Sequence, residues 1–219
     1  MSHGGKKMNI QSFSLGPIGT NCYVIRKGEQ CLIIDPGWDA PVVTSYIEKE
    51  NLEPQVILLT HAHFDHIGAV DELRKLYSLD VYLHEEERDW LENAELNRSQ
   101  FALGGAGITT AAPDKLLKEG RLQIGKFSFD VVHTPGHSPG SVSFIFNEFD
   151  FVVSGDVLFH HGIGRTDLPG GNIEQLARSI TEHLYTLPDS FTVYPGHGTS
   201  TTIGEEKYAN PFTLQFYRS

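Results

Sequence analysis

The stretch Thr60-His61-Ala62-His63-Phe64-Asp65-His66 places four potential metal ligands within six residues of the chain. It follows an apolar run at residues 56–59, which predicts a buried strand, and precedes a predicted helix at residues 66–77. Loops between a strand and a helix lie at the end of a sheet, where α/β proteins form their sites. The first two histidines point the same way on an extended backbone, whereas Asp65 and His66 begin the helix. The loop therefore predicts ligands for two neighbouring metal ions.

Three further potential ligands each follow an apolar strand and stand beside glycine: His137, Asp156 and His197. The strands before them are predicted at residues 127–132, 151–153 and 191–194. Glycine lets the backbone turn sharply and approach a metal closely. Because one loop cannot supply all the ligands of two ions, we predict that these residues complete two metal sites at one edge of the sheets.

The rest of the chain alternates between strand and helix patterns. Further strands are predicted at residues 8–15, 22–26, 31–35, 81–83 and 142–146. Further helices are predicted at residues 39–51 and between Asn172 and Pro188, with Asn172 as the N-cap and Gln175 returning a hydrogen bond to it. No linker or repeat interrupts this alternation. We therefore predict one α/β domain over residues 1–219, with at least two layers.

Composition and charge narrow the classes of function. The formal net charge of −11 would repel nucleic-acid phosphates, so nucleic-acid binding is not expected. No apolar run reaches the roughly 20 residues of a membrane-spanning helix, and no apolar signal segment follows the N-terminus. The two cysteines, Cys22 and Cys31, predict reduced core thiols. We expect a cytoplasmic protein that acts on a small molecule, and the sequence indicates no oligomeric state.

Two further segments carry weaker signals. Residues 93–114 show no periodicity and contain three glycines, which predicts a mobile lid beside a substrate groove. The acidic run Glu85-Glu86-Glu87 predicts the solvated start of a helix.

Other polar residues near the potential ligands have competing interpretations. His160 and His161 are interpreted as exposed loop residues, and a place beside the substrate is left open. Arg165 could hold an anionic substrate, but an ion pair with Asp167 is favoured.

Taken in order, the seven potential ligands resemble the ligand pattern of the metallo-β-lactamase superfamily, with spacings of 76, 19 and 41 residues from His61 through His137 and Asp156 to His197. Within it the chain is similar to the short glyoxalase II-like hydrolases, through Thr134-Pro135-Gly136-His137-Ser138, residues 164–171 and Asn210-Pro211-Phe212. The resemblance implies a four-layer αββα sandwich with the metals at one edge of its β layers.

The resemblance also implies which residues hold each ion: His61, His63 and His137 the first, and Asp65, His66 and His197 the second. Asp156 would bridge the two ions. Asp35, in Asp35-Pro36-Gly37, resembles a residue that supports the metal loop from behind, and a turn-forming role alone is equally compatible with its sequence.

The implied chemistry is hydrolysis by a hydroxide that two divalent ions share, with Asp65 and Asp156 as catalytic residues. Histidine and aspartate suit zinc, iron or manganese, and we expect zinc. The expected substrate is a thioester, such as a hydroxyacyl conjugate of glutathione or another small thiol. Full-length glyoxalase II enzymes carry a C-terminal helical extension that binds glutathione, whereas only 22 residues follow His197, so the thiol is left open.

Other functions fit parts of the pattern. Persulfide dioxygenases share the superfamily fold and a Gly-Arg-Thr-Asp segment similar to residues 164–167, but they use one iron ion and oxygen. Lactonases, β-lactamases and nucleases of the superfamily are further alternatives, and the negative charge disfavours the nucleases. A non-catalytic metal-binding protein is the remaining interpretation, and the complete ligand set argues against it.

Overall fold

Two six-stranded sheets form the centre of the computed structural model, which describes residues 8–216. The strands of the first sheet lie side by side in chain order: Met8–Leu15 (β1), Thr20–Lys27 (β2), Gln30–Ile34 (β3), Glu53–Leu58 (β4), Asp80–His84 (β5) and Lys115–Leu117 (β6). The first three pair antiparallel, and β3 to β6 pair parallel. The carboxyl ends of β3, β4 and β5 therefore meet at one edge of this sheet.

The second sheet is formed by the second half of the chain. Its strands are Gly120–Ile124 (β7), Phe127–His133 (β8), Val142–Phe146 (β9), Phe151–Gly155 (β10), Thr192–Pro195 (β13) and Thr201–Thr202 (β14). They lie in the order β14-β13-β10-β9-β8-β7, and only β10 and β13 pair parallel. A separate hairpin joins Leu158–Phe159 (β11) to Gly162–Ile163 (β12).

Helices cover the outer face of each sheet. They are Ala40–Lys49 (α1), Phe64–Ile67 (α2), Val70–Tyr77 (α3), Ser99–Leu103 (α4), Ile173–Arg178 (α5), which continues as a π-helix at Ser179–Leu184, and Ile203–Ala209 (α6). Short 3₁₀ turns occur at Glu85–Glu87, Asn147–Phe149 and Thr213–Gln215. None of the helices in the described part of the chain is long and apolar enough to cross a membrane.

Alternation along the strands explains the layers. In β3, Cys31 and Ile33 belong to the core that α1 and α3 cover, whereas Leu32 and Ile34 face the second sheet. Both faces of the strand are covered, so its apolar side chains are continuous rather than alternating with polar ones. The second sheet supplies aromatic side chains to the central core, among them Phe129. The predicted αββα sandwich is confirmed.

The predicted helix at residues 66–77 is interrupted. The structure has α2 and α3 instead, separated at Gly68 and Ala69. A Cβ on Gly68 would lie 2.1 Å from the carbonyl oxygen of Gly37, so the loop after β3 crosses the chain at this glycine. The N–H of Ala69 donates to Pro36 in the same loop. Packing against a distant segment therefore ends the first helix, which the local periodicity did not indicate.

The helix after Asn172 begins as predicted, with the Asn172 side chain accepting from the N–H of Gln175. The predicted return bond from Gln175 is not formed, because the N–H of Asn172 donates to the carbonyl of Gly136, at 2.7 Å. This bond attaches the start of α5 to the loop that carries His137. The helix thus helps to fix the position of a potential ligand.

Candidate metal centre

The seven potential ligands come from four loops that meet at one edge of the two sheets. The loop after β4 carries the first four, and the turn between β8 and β9 carries His137. Asp156 follows β10 directly, and His197 follows β13. Because β10 and β13 pair parallel, these last two loops leave the sheet side by side. The fold brings together residues that are separated by up to 136 positions in the sequence.

Within this edge the ligand atoms form overlapping groups in which all atoms lie within 4.8 Å of one another: His61, His63 and His137; Asp65, His66 and His197; and His61, His66 and Asp156. Six of the seven side chains are buried, and His197 is partly exposed. The first two groups match the two predicted sites. Asp156 lies between them, with its carboxylate oxygens 3.4 Å from His66 Nε2, 3.6 Å from His137 Nε2 and 3.5 Å from His197 Nε2.

Buried polar atoms without partners show that this arrangement suits metal ions. The Nε2 atoms of His61, His63 and His66 and Oδ1 of Asp156 are buried and have no hydrogen-bond partner among residues 8–216. Leaving a buried polar atom unsatisfied costs about 1–3 kcal/mol, so four together at one point need an explanation. His63 Nδ1 and His137 Nε2 are 3.0 Å apart, near the roughly 3.3 Å expected between two nitrogens on a tetrahedral zinc ion. Metal ions would satisfy the Nε2 atoms of His61 and His66 and Oδ1 of Asp156, while His63 would bind through Nδ1 rather than through its Nε2.

Asp35 holds the metal loop from behind. Its carboxylate accepts from the N–H of Thr60 at 2.8 Å and from the Thr60 hydroxyl at 2.6 Å, and it lies 3.0 Å from His66 Nδ1. An acceptor at Nδ1 fixes the ring and leaves Nε2 free to bind a metal. Asp35 also turns the chain, with a left-handed φ of 49°. Asp35 therefore has both of the roles considered for it, since it supports the metal loop from behind and also forms a turn.

The other potential ligands are oriented in the same way. The carbonyl of Arg165 accepts from His137 Nδ1 at 2.8 Å, and the Thr20 hydroxyl donates to Asp65 at 2.7 Å. The carbonyl of Gly196 accepts from the N–H of Asn21, which attaches the His197 loop to β2. A Cβ on Gly196 would lie 2.0 Å from Asp156 Oδ1, so only glycine allows this loop to pass so close to the site.

The two groups of ligands have opposite protonation tendencies. Burial, together with neighbouring histidines, lowers the pKa of His63 to about 3 and holds the pKa of His61 well below its ordinary value. Burial also disfavours charge on His197, but hydrogen bonds to Asp156 and Asp65 outweigh it and raise its pKa to about 9. The pKa of His66 is raised well above its ordinary value because Asp65 and Asp35 outweigh burial. Without metal, His66 and His197 of the second group therefore hold protons near neutral pH, whereas His61 and His63 of the first group do not.

This difference predicts that the second site loses metal first as the pH falls. Between pH 8 and pH 6, a metal must displace the proton of His197, whose pKa is about 9, and that of His66, whose pKa is raised well above its ordinary value, whereas the lowered pKa values of His61 and His63 keep these two side chains neutral. Between pH 8 and pH 6, we expect the second-site affinity to fall roughly a hundredfold for each proton displaced. Chelator competition at several pH values would measure both affinities, with His197→Ala isolating the first site. Parallel loss of affinity at both sites would contradict this prediction.

Glu87 corrects the interpretation of the acidic run Glu85-Glu86-Glu87. The first two glutamates are exposed as predicted, but Glu87 is fully buried. Its carboxylate accepts from the N–H of Ala62 at 2.6 Å, the N–H of Gly140 at 2.8 Å and the hydroxyl of Ser138 at 2.5 Å. Burial outweighs these bonds and raises its pKa. Glu87 thus joins the loop of His61 and His63 to the loop of His137, which the charge pattern gave no reason to expect.

A cavity of about 370 Å³ opens onto five of the ligands: His63, Asp65, His137, Asp156 and His197. Its volume is within the range of small-molecule sites. Apolar walls are formed by Ile18, Phe64, Phe159, Ile163 and Leu168, and two arginines, Arg98 and Arg165, also line it. The predicted pair of Arg165 with Asp167 is confirmed, with two hydrogen bonds of 2.6 and 2.7 Å. The cavity is the place for a substrate beside the ligands.

His160 and His161 lie outside this cavity. His160 is exposed and stacks on His161, whose ring lies 2.8 Å from a carboxylate oxygen of Glu205. The interpretation of both as exposed loop residues is the one the structure favours.

Residues 93–114 contain a short helix, α4, that the sequence pattern did not indicate. The carbonyl of the fully buried Asn97 accepts from the N–H of Phe64, in the metal loop. The tip is open, since nothing lies within 4 Å of a Cβ on Gly104 or Gly105. One end of the segment is therefore attached to the site, and mobility of its tip stays a prediction.

Comparisons with known proteins agree with this geometry. A family model described as the metallo-β-lactamase superfamily matches residues 15–197. The chain is 48% identical over 210 residues to the probable metallo-hydrolase YqgX of Bacillus subtilis (strain 168), covering 95% of this chain and 99% of that protein. It is 38% identical over 209 residues to hydroxyacylglutathione hydrolase GloC of Haemophilus influenzae, covering 94% and 98%.

Solved structures give the same result. The B3 metallo-β-lactamase BLEG-1 has a TM-score of 0.91 and 48% identity, over 94% of this chain and 99% of that one. TTHA1623 in a di-iron-bound form has a TM-score of 0.84 and 40% identity, over 92% and 99%. These matches and the arrangement of the ligands show that the chain is a metallo-hydrolase of the metallo-β-lactamase superfamily.

Proposed function

We propose that this protein is a binuclear metal-dependent hydrolase that cleaves a thioester, such as a hydroxyacyl conjugate of glutathione or another small thiol. The observation that carries the proposal is the complete second set of ligands, Asp65, His66 and His197, beside the first set at the floor of one cavity. A single-metal enzyme does not require that second set. The Haemophilus influenzae relative, named as a hydroxyacylglutathione hydrolase, supports the thioester as substrate.

The first metal would be held by His61, His63 and His137, the second by Asp65, His66 and His197, and Asp156 would contact both. Zinc is the proposed metal, because histidine and carboxylate ligands in this number suit it, although they also suit iron or manganese. When bound, such a pair supplies an activated water and polarises the substrate carbonyl.

The chain itself contributes orientation and exclusion of water. Asp35 keeps the ring of His66 fixed, and the carbonyl of Arg165 keeps a proton on His137 Nδ1, so that its Nε2 faces the site. The apolar side chains of Phe64 and Phe159 line the cavity beside the ligands and would cover the acyl group. A thiolate can leave without being protonated, so the cleavage would need no proton donor from the chain at the sulfur.

We also propose that the protein works in the cytoplasm. Cys22 and Cys31 are both buried and unpaired, as suits a reducing compartment. Burial raises the pKa of the Cys31 thiol to about 12, so this side chain stays an unreactive thiol.

The test is the hydrolysis of S-lactoylglutathione by the zinc-loaded protein. The rate of thiol release is measured in the presence and in the absence of oxygen. We expect cleavage that does not depend on oxygen. Iron-loaded protein given glutathione persulfide in an oxygen electrode should consume no oxygen above background. Rapid persulfide-dependent oxygen consumption would contradict the assignment as a hydrolase and support the alternative assignment as a mononuclear persulfide dioxygenase.

A β-lactam is the second candidate substrate, because BLEG-1, at 48% identity, is named as a B3 metallo-β-lactamase. Nitrocefin hydrolysis by the same zinc-loaded protein measures this activity. We expect kcat/KM for the thioester to exceed that for nitrocefin. A higher kcat/KM for nitrocefin would make a cyclic amide, rather than a thioester, the proposed substrate. The proposal of a two-metal site would not be affected.

A further inference from the structure

Arg98 is placed at the cavity by the segment that precedes α4. The carbonyl of its neighbour Asn97 accepts from the N–H of Phe64 at 2.9 Å, and Phe64 stands between two of the ligands, His63 and Asp65. Asn97 is fully buried and its side chain donates to the carbonyl of Ile108, so this attachment is fixed on both sides. Arg98 consequently lines the same cavity as the ligands.

The backbone of Arg98 is strained. Its φ of 72° lies in the left-handed region, which costs a residue with a Cβ more than it costs glycine. Strained residues concentrate at functional sites, where the surrounding structure holds them in place. Glycine would suit this backbone position better, so the presence of arginine points to a use for its side chain.

The guanidinium group of Arg98 has N–H donors that are not used in hydrogen bonds within residues 8–216. It lies 4.2 Å from the centre of the Phe101 ring and donates one bond of 3.3 Å to the carbonyl of Glu95. Its Nε is buried and has no partner, and Arg98 makes no ion pair within residues 8–216. Arg165, the other arginine of the cavity, is already engaged by both oxygens of Asp167. In a chain with a net charge of −11, an arginine left without a carboxylate beside the site is available for an anion.

We propose that Arg98 binds a carboxylate on the thiol portion of the substrate. The proposal rests on the proposed thioester hydrolysis and narrows it to acyl conjugates of an acidic thiol, such as a peptide thiol with free carboxylates. The stacking on Phe101 holds the guanidinium plane, and its unpaired donors match the two oxygens of a carboxylate. In this way the segment before α4 would recognise an acidic thiol beside the potential ligands.

The kinetic test compares S-lactoylglutathione with its diethyl ester, in which both carboxylates are blocked, using zinc-loaded protein. Wild type should prefer the acidic substrate. In Arg98→Gly that preference, expressed as a ratio of kcat/KM values, should fall about tenfold to a hundredfold, mostly through KM. Glycine relieves the backbone strain, so the melting temperature should shift by no more than about 4 °C. An unchanged ratio would overturn the proposal.

Two controls make the result specific. Arg121→Ala removes one positive charge from the exposed part of β7, outside the cavity, and should leave the ratio as in wild type. Arg98→Lys keeps the charge but not the planar fork, and should fall between wild type and Arg98→Gly. An equal fall in Arg121→Ala would assign the preference to overall charge and contradict a role for Arg98.

A binding measurement separates this proposal from the proposed function. Calorimetry on the zinc-loaded protein would compare S-hexylglutathione with its diethyl ester, neither of which is a thioester. One outcome is that wild type cleaves no thioester and yet binds S-hexylglutathione more tightly than its diethyl ester, while Arg98→Gly binds the two compounds equally. In that case the proposed function fails, but the anion site at Arg98 is supported. If wild type cleaves thioesters but Arg98→Gly binds both compounds as wild type does, Arg98 is not the anion site.

Discussion

Replacing Asp156 with alanine should lower kcat/KM for the thioester by at least about a thousandfold, which corresponds to roughly 4 kcal/mol of transition-state stabilisation. The reason is its position, with carboxylate oxygens within 3.6 Å of His66, His137 and His197, between the two groups of ligands. Removing it takes a ligand from both proposed sites together. Metal analysis after dialysis should accordingly show that Asp156→Ala retains less than one tightly bound ion per chain.

His197→Ala is the matched comparison for Asp156→Ala. It removes a ligand from the second group only, so the variant should keep about one ion and lose less activity. Circular dichroism would confirm that both variants are folded. Two tightly bound ions in Asp156→Ala, with kcat/KM within tenfold of wild type, would show that Asp156 does not bridge the sites.

The largest effect on stability is expected for Glu87→Ala. The change leaves the N–H of Ala62, the N–H of Gly140 and the hydroxyl of Ser138 buried without their acceptor. At about 1–3 kcal/mol for each unsatisfied group, the variant should lose on the order of 3 kcal/mol or more. For a chain of this size, that lowers the melting temperature by roughly 6–12 °C.

Glu87→Ala should also weaken metal binding at the first site about tenfold to a hundredfold, because two ligand loops lose their common support. Glu87→Gln should be intermediate, since an amide has one acceptor oxygen and leaves at least one N–H facing its own NH₂. Glu86→Ala, on the exposed neighbour, should change stability by no more than about 0.5 kcal/mol. Equal stability of Glu87→Ala and Glu86→Ala would contradict the role given to Glu87.

The sequence predicted that the potential ligands lie together, because their signal is local. Each of them follows an apolar strand directly, and parallel strands deliver their carboxyl ends to one edge of a sheet. The structure accordingly brings His61, His137, Asp156 and His197 to one edge of the two sheets, in overlapping groups of potential ligands. Strands that are buried on both faces, such as β3, were also recognisable from continuous apolar runs.

Features that depend on distant segments were not predictable in this way. Glu87 looks like part of a solvated charge run, and only the meeting of Ala62 with Gly140 around it makes it a buried acceptor. The break between α2 and α3 depends on the loop after β3, in which the carbonyl oxygen of Gly37 packs closely against Gly68. The patterns of β6 and β14 cover three and two residues, which is too short for a periodicity to be recognised.

The central claim, that two metal ions share this edge of the sandwich, is tested most directly by anomalous diffraction from crystals of the zinc-loaded protein. We predict two peaks per chain roughly 3.5–4 Å apart, one among His61, His63 and His137 and the other among Asp65, His66 and His197, with Asp156 touching both. A single peak in fully metal-loaded crystals, with Asp65 and His197 not bound to any ion, would contradict the account.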